Sequence, residues 1–192
     1  GDLTAGIFCA NGILLALAER ERSGEGQWVQ TSLIQALVAM LDFQATRWLI
    51  DGVVPGQAGN NHPNSLATGT FATSDGHINI GGAGRLMWER FCGAIERRDL
   101  LEDPRFKEAG ERRRNGAALA EIMKQTLATR TSAEWIDILN RAGVPCGPIY
   151  RIDEMFADPQ VQTLGMVQEV ESRKLGKQKL VGQPVFLSRT GS

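Results

Sequence analysis

The chain has 192 residues, 42% of them hydrophobic and 22% charged, with 21 lysines and arginines against 22 aspartates and glutamates. That length and apolar content suit one generous domain or two small ones with a real core, and exclude a chain disordered beyond short loops. The formal net charge of −1 leaves no electrostatic footprint for nucleic acid or an anionic membrane surface.

The basic clusters Arg112-Arg113-Arg114 and Arg173-Lys174 sit near acidic residues and read as solvated helix or loop faces. Cys9, Cys92 and Cys146 are widely spaced and odd in number, so neither a disulfide framework nor a metal spacing is visible. Cys9 and Cys92 lie in apolar stretches and read as buried small hydrophobes. A reducing, cytoplasmic setting fits. The longest apolar stretches, such as 33–41, are interrupted by polar residues and read as too short for a membrane span. The chain opens Gly1-Asp2-Leu3 without a methionine, and is expected to be a piece of a longer protein.

Ile7, Cys9, Ala10, Ile13, Leu14 and Leu17 fall at helical spacing and predict a helix over 3–22, with Asp2 as N-cap. Its wide apolar side suggests packing on a sheet. Ser23-Gly24-Glu25-Gly26 ends it by turn chemistry. Residues 27–31 read as a short strand, and Ser32 as the cap of a second long helix over about 33–51. Helix, strand, helix is a fragment of an α/β layered fold, and its remaining strands must come from elsewhere.

Residues 52–67 read as a loop or linker. Residues 70–73 and 77–80 flank Ser74-Asp75-Gly76, a hairpin signal. Helices are predicted over 86–96 and 115–128, with a turn at Asp103-Pro104-Arg105-Phe106 between them. Thr131-Ser132-Ala133-Glu134 is a capping box opening a helix through Ala142, ended by Gly143. Residues 144–149 are extended. A helix over 152–164 is broken around Asp158-Pro159. Strands are predicted over 166–172 and 180–187.

Three places could carry chemistry. Asp2 reads most simply as a helix cap. The same geometry stabilises negative charge, offers free first-turn amides to an oxyanion, and leaves room at Ala5 and Gly6 for a ligand. A dry pocket would raise the reactivity of its carboxylate as a nucleophile. The loop Gly59, Asn60, Asn61 and His62, before Pro63, reads as a connection between subdomains or as a mobile flap. His62 could carry a proton there, whereas His77 in a strand reads as structural. Gly81-Gly82-Ala83-Gly84, between strand and helix, could seat a phosphate. It lacks both the Walker lysine and a GxGxxG pattern with its acidic partner. No metal motif and no Ser-His-Asp set is apparent.

Specific words in the sequence go further. Gly1-Asp2-Leu3-Thr4-Ala5-Gly6, then 12–20 rich in Ala and Leu, then Ser23-Gly24-Glu25-Gly26-Gln27, resemble the segment around the nucleophile of class III CoA-transferases. Gly59-Asn60-Asn61-His62-Pro63, Gly69-Thr70-Phe71, Asp75-Gly76, Trp88 with Phe91-Cys92, and Asp103-Pro104-Arg105-Phe106 match in order. So do Glu134-Trp135, 143–148, Asp158-Pro159-Gln160 and Gly165-Met166-Val167. The resemblance is to the C-terminal portion of the formyl-CoA, carnitine CoA-transferase and bile-acid-inducible F-like enzymes, also called carnitine dehydratase-like.

The resemblance implies that Asp2 is the catalytic nucleophile. It would carry CoA from an acyl-CoA donor to a carboxylic acid acceptor through an aspartyl-CoA thioester. Gly59, Asn60, Asn61 and His62 would form a flap over that intermediate. Coenzyme A enters as a thioester substrate, with no covalently bound cofactor and no metal. The implied fold class is α/β: a fragment of a large Rossmann-like α/β domain plus a small α+β domain, in an interlocked homodimer. On that map 1–52 belong to the large domain, 53–66 to a linker or flap loop, 67–152 to the small domain, and 153–192 return to the large one. Many relatives carry Pro-Tyr where Ala67-Thr68 stands, on the acceptor side of the pocket. An α-methylacyl-CoA racemase of the same fold is the nearest alternative; it typically carries a glutamate where this chain has 81–84. A non-catalytic fragment or oligomerisation module is the other.

Overall fold

The computed structural model describes residues 1–62, 65–82 and 84–190, with the side chains of 65 and 66 left aside. The chain divides into two compact units, Gly1–Gln57 and Ala58–Ser192.

The first unit is helical. Helix α1 (Asp2–Ser23) ends at Gly24, whose φ of 77° is the left-handed conformation that glycine adopts without a Cβ penalty; its N–H donates to Arg20 O at 2.8 Å. The expected cap is displaced by one position. Gly1 is the N-cap, because its carbonyl accepts the first helical bond from Ala5 N at 2.9 Å, and Asp2 is the first helical residue. The strand expected over 27–31 has no regular secondary structure and forms no ladder among the described residues, since a strand needs a neighbour to donate to. It packs on α1 through Gly12, where a Cβ would lie 2.8 Å from Val29 Cγ1.

Ser32 caps the next helix as expected, its Oγ accepting Gln35 N at 3.3 Å and donating to Gln35 Oε1 at 2.8 Å. The single helix expected over 33–51 is two, α2 (Leu33–Ala39) and α3 (Phe43–Asp51), bent by 81°. Asp42 sits between them with φ 49° and ψ −124°, outside the usual regions for a residue with a side chain, and its carbonyl accepts Thr46 N to start the new helix. The apolar period runs through the break, so spacing could not reveal it.

Only Ala5 and Ala36 are buried in this unit. Leu3, Ile7, Leu14 and Leu15 on α1, and Ile34 and Val38 on α2, stand exposed. Cys9 is half-buried rather than buried, because nothing covers its side of α1 fully. By length and composition α1 is also apolar enough to cross a membrane, with a mean hydropathy of 1.4. Thr4 and Asn11 interrupt the run without adding charge, so run length alone does not exclude a span there.

The second unit holds the core. Strand β1 (Asn61–His62) pairs antiparallel with β2 (Ser65–Ala72), and β2 with β3 (His77–Ile80) through the expected hairpin turn. β2 starts earlier than its apolar pattern suggests because β1 gives it a partner. Helices α4 (Arg85–Ala94), α5 (Asp99–Glu102), α6 (Ala109–Arg114), α7 (Gly116–Leu127) and α8 (Ser132–Arg141) follow, then β4 (Cys146–Pro148), which completes the sheet order β1-β2-β3-β4. The short α5 and α6 were not expected; four and six residues carry too little periodicity to read.

Sheet and helices close over Ile78, Ile80, Phe91, Leu119, Met123 and Leu139, all fully buried. Trp135 joins them and donates Nε1–H to Leu127 O at 2.8 Å. The capping box is complete: Thr131 Oγ1 accepts Glu134 N, and Glu134 Oε2 accepts Thr131 N at 2.9 Å. Arg112 departs from its expected solvated role. Its guanidinium lies 4.9 Å over the Trp88 ring and donates to Phe106 O at 2.8 Å and Lys107 O at 2.9 Å.

Helices α9 (Ile152–Ala157) and α10 (Pro159–Thr163) are split at Asp158, whose carboxylate caps α10. Strands β5 (Val167–Ser172) and β6 (Gly176–Val181) pair with each other. The return strand starts four residues before its expected position. Ser172 Oγ accepts Lys174 N and Leu175 N, closing a tight turn, so the chain is already back in register at Gly176. Lys177 and Lys179 then lie opposite Glu171 and Glu169, a charged face that apolar patterning does not detect.

Candidate active site

Asp2 is exposed at the first residue of a 22-residue helix. The N–H groups of Leu3 and Thr4 precede the first helical bond and donate to no acceptor among the described residues. A Cβ at Gly6 would meet nothing within 4 Å, so the first turn is open to a ligand on that side. The partial positive charge of the helix start favours negative charge here, on a carboxylate or on an oxyanion beside it. A shielded pocket around Asp2 is not formed within its own unit. The small cavity there, about 270 Å³, is lined by Phe8, Gly12, Val29, Thr31 and Ala36 and does not include it.

In the second unit, Gly59 and Asn60 lie in a turn, and Asn61 and His62 form β1; all four are exposed. Half of the expected loop is thus a short strand, held by pairing of Asn61 with Gly69 and His62 with Ser65. His77 opens β3 with its side chain exposed. Pro63 and Ala83 lie outside the described residues.

The glycine turn after β3 is anchored on both sides. Gly81 N donates to Pro145 O at 2.8 Å, and Gly82 N to Thr68 Oγ1 at 3.1 Å. A Cβ at Gly82 would sit 2.9 Å from Ala67 O, so only glycine allows this approach. Ala67 and Thr68 therefore support the glycine turn directly.

Beyond the turn opens a groove of about 1020 Å³ lined by Gly82, Gly84, Arg85, Trp88, Arg98 and Arg113 among others. No spacing along the chain points to it. Arg85 and Trp88 stand one helical turn apart on α4, and Arg112 reaches Trp88 from α6, a juxtaposition only tertiary packing makes.

The described elements form a mixed α/β arrangement. The match to the model of CoA-transferase family III extends over residues 1–192, and the chain belongs to that family. It is 32% identical over 99% of its length to succinyl-CoA:mesaconate CoA-transferase of Haloarcula hispanica, covering 48% of that protein. It is 31% identical to acetyl-CoA:oxalate CoA-transferase of Acetobacter aceti (97% of this chain, 47% of that one). To human succinyl-CoA:glutarate CoA-transferase it is 27% identical (98% and 43%). Among solved structures, Rv3272 of Mycobacterium tuberculosis superposes with a TM-score of 0.82 at 26% identity, covering 98% of this chain and 49% of that one. A CaiB/BaiF family protein from Brucella suis gives 0.76 at 27% identity, with 98% and 48% covered. The chain spans about half the length of the relatives it matches.

Proposed function

We propose that this chain is the nucleophile-bearing portion of a class III CoA-transferase that moves CoA from an acyl-CoA to a dicarboxylic acid. The observation that carries the reading is Asp2, a carboxylate at the first residue of a long helix with open first-turn amides, in a chain that matches this family throughout. The acceptor class rests on the relatives, whose names give mesaconate, oxalate and glutarate.

The chemistry follows from a carboxylate and a thioester. The Asp2 carboxylate attacks the donor thioester carbonyl, the carbon–sulfur bond breaks, and CoA leaves as thiolate. The thiolate attacks the Asp2 carbonyl of the resulting mixed anhydride, giving an aspartyl-CoA thioester and the free donor carboxylate. The acceptor carboxylate attacks that thioester, thiolate leaves again, and its attack on the acceptor acyl carbon releases the new acyl-CoA and regenerates Asp2. No proton is gained or lost over the cycle. Each tetrahedral oxyanion is stabilised by preorganised donors, a role the free amides of Leu3 and Thr4 can fill.

The exposed apolar faces of α1 and α2, and the segment 27–31, which joins no sheet among the described residues, support a further part of the proposal. They would be covered by the portion of the protein that this chain does not span, together with a second subunit, drying the surroundings of Asp2. Residues Gly59 to His62 would serve as the flap over the thioester.

The test is mass spectrometry of the full-length protein carrying this sequence, incubated with succinyl-CoA and digested. A CoA adduct is expected on the peptide containing Asp2. Asp2→Ala should lose both adduct and transfer while keeping its secondary structure by circular dichroism. Undiminished turnover in that variant would overturn the mechanism.

A further inference from the structure

Two asparagines in the sequence precede glycine, Asn11 and Asn115. In such a pair the glycine nitrogen can attack the side-chain amide carbon of the asparagine, because glycine places no Cβ in the way. The nitrogen must first be free of any hydrogen bond, and the asparagine backbone must turn to bring it to the side chain. Sequence ranks the two pairs equally. Exposure ranks Asn11 first, since Asn11 is exposed and Asn115 half-buried.

Backbone geometry reverses that order. Asn11 lies in the middle of α1, where helical pairing ties the Gly12 N–H to a carbonyl one turn back. Freeing that nitrogen means breaking a 22-residue helix near its centre. Asn115 is the single residue between α6 and α7, the C-cap of one and the N-cap of the other, with φ −100° and ψ 26°. Its backbone is therefore in the sparsely allowed region outside the helical well. The Gly116 N–H donates to no acceptor among the described residues, and no side chain caps the start of α7. The Asn115 side chain pins the joint instead. Its Nδ2 donates to Glu111 O at 3.0 Å and to Arg105 O at 3.3 Å.

We propose that Asn115 is a site of non-enzymatic modification, deamidating through a cyclic imide while Asn11 is spared. Gly116 N forms a bond to Asn115 Cγ and gives its proton to solvent. The Cγ–Nδ2 bond breaks, and Nδ2 takes up a proton and leaves as ammonia. Water then adds to either carbonyl of the five-membered ring and opens it to aspartate or isoaspartate. Water is the co-reactant, and nothing is oxidised or reduced. Both side-chain donations, to Glu111 O and to Arg105 O, are lost, and a carboxylate oxygen faces carbonyl oxygens in their place. Isoaspartate also lengthens the backbone between the two helices, displacing the carbonyl that accepts Leu119 N at 3.1 Å.

The experiment ages the full-length protein carrying this sequence in mildly alkaline buffer, digests it, and follows the peptides bearing Asn11 and Asn115 by liquid chromatography and mass spectrometry. Conversion of amide to acid is expected at least about tenfold faster at Asn115 than at Asn11, because a helix joint opens locally while the centre of α1 opens only with its helix. Isoaspartate should accompany aspartate in the Asn115 peptide. In urea both rates should rise and converge. The φ of Gly116 is not positive, so its backbone accepts a side chain. Gly116→Ala should slow conversion at Asn115 in the folded protein and leave Asn11 as it was. No conversion at Asn115, or conversion no faster than at Asn11, would overturn the inference. A gap that persists unchanged in urea would overturn it too, by assigning the difference to neighbouring residues rather than to the fold.

Discussion

Asp75 Oδ1 accepts the backbone N–H of Ser132 at 2.8 Å across 57 residues of sequence, tying the β2–β3 hairpin turn to the start of α8. Thr73 joins the junction, its Oγ1 lying 3.1 Å from Asp75 Oδ1 and 2.8 Å from Ser132 Oγ. These bonds, that from Ser132 N first, hold the Asp75 carboxyl below its usual value of 3.8. A folded-state value below the unfolded one means that the contribution is present above pH 3.8 and fades as pH falls through the lower, folded value. Asp75→Ala should therefore lower the melting temperature by a few degrees at pH 7. The gap between variant and parent should close on acidification below pH 4. A gap that is constant with pH would show that the carboxylate charge plays no part.

The two buried tryptophans of the core differ in one respect that mutation can read. Trp135 donates to Leu127 O at the end of α7, whereas Trp88 Nε1–H meets no acceptor among the described residues. Replacing either by phenylalanine removes a similar volume, so the difference isolates the hydrogen bond. Trp135→Phe leaves a buried carbonyl unsatisfied and should cost about 1–3 kcal/mol more than Trp88→Phe. Urea unfolding curves of the two variants measure this directly, and equal midpoints would contradict it.

Cysteine reactivity should follow burial rather than number. Burial pushes the Cys92 thiol from 9.0 up to about 12, and the Cys146 thiol up to about 11. At pH 8.5 iodoacetamide should leave Cys92 unmodified in the native protein and modify it promptly in urea. Because the folded-state value is the higher one, the Cys92 contribution is complete below pH 9 and declines as pH rises toward 12. Cys92→Ala should flatten that alkaline loss of stability; a slope identical to that of the parent would place its origin elsewhere.

Legibility varied with the range of the interaction. The capping box at Thr131 and Glu134, the turn at Ser74-Asp75-Gly76 and the stop at Gly24 were readable because each is made by neighbours within four residues. Asp2 was found within one position for the same reason. The break at Asp42 was hidden because the apolar period continues through it. The role of Arg112 was hidden because its partner, Trp88, lies 24 positions upstream and belongs to another helix.

The sequence by itself determined most of the longer helices, the hairpin, the capped turns and the family resemblance. All rest on local spacing and on the order of short words along one chain. Tertiary structure alone decided which side chains meet. It set Ala67 under the glycine turn and brought Arg112 over Trp88. Those contacts depend on the packing of distant segments, whose distance in space no local pattern encodes.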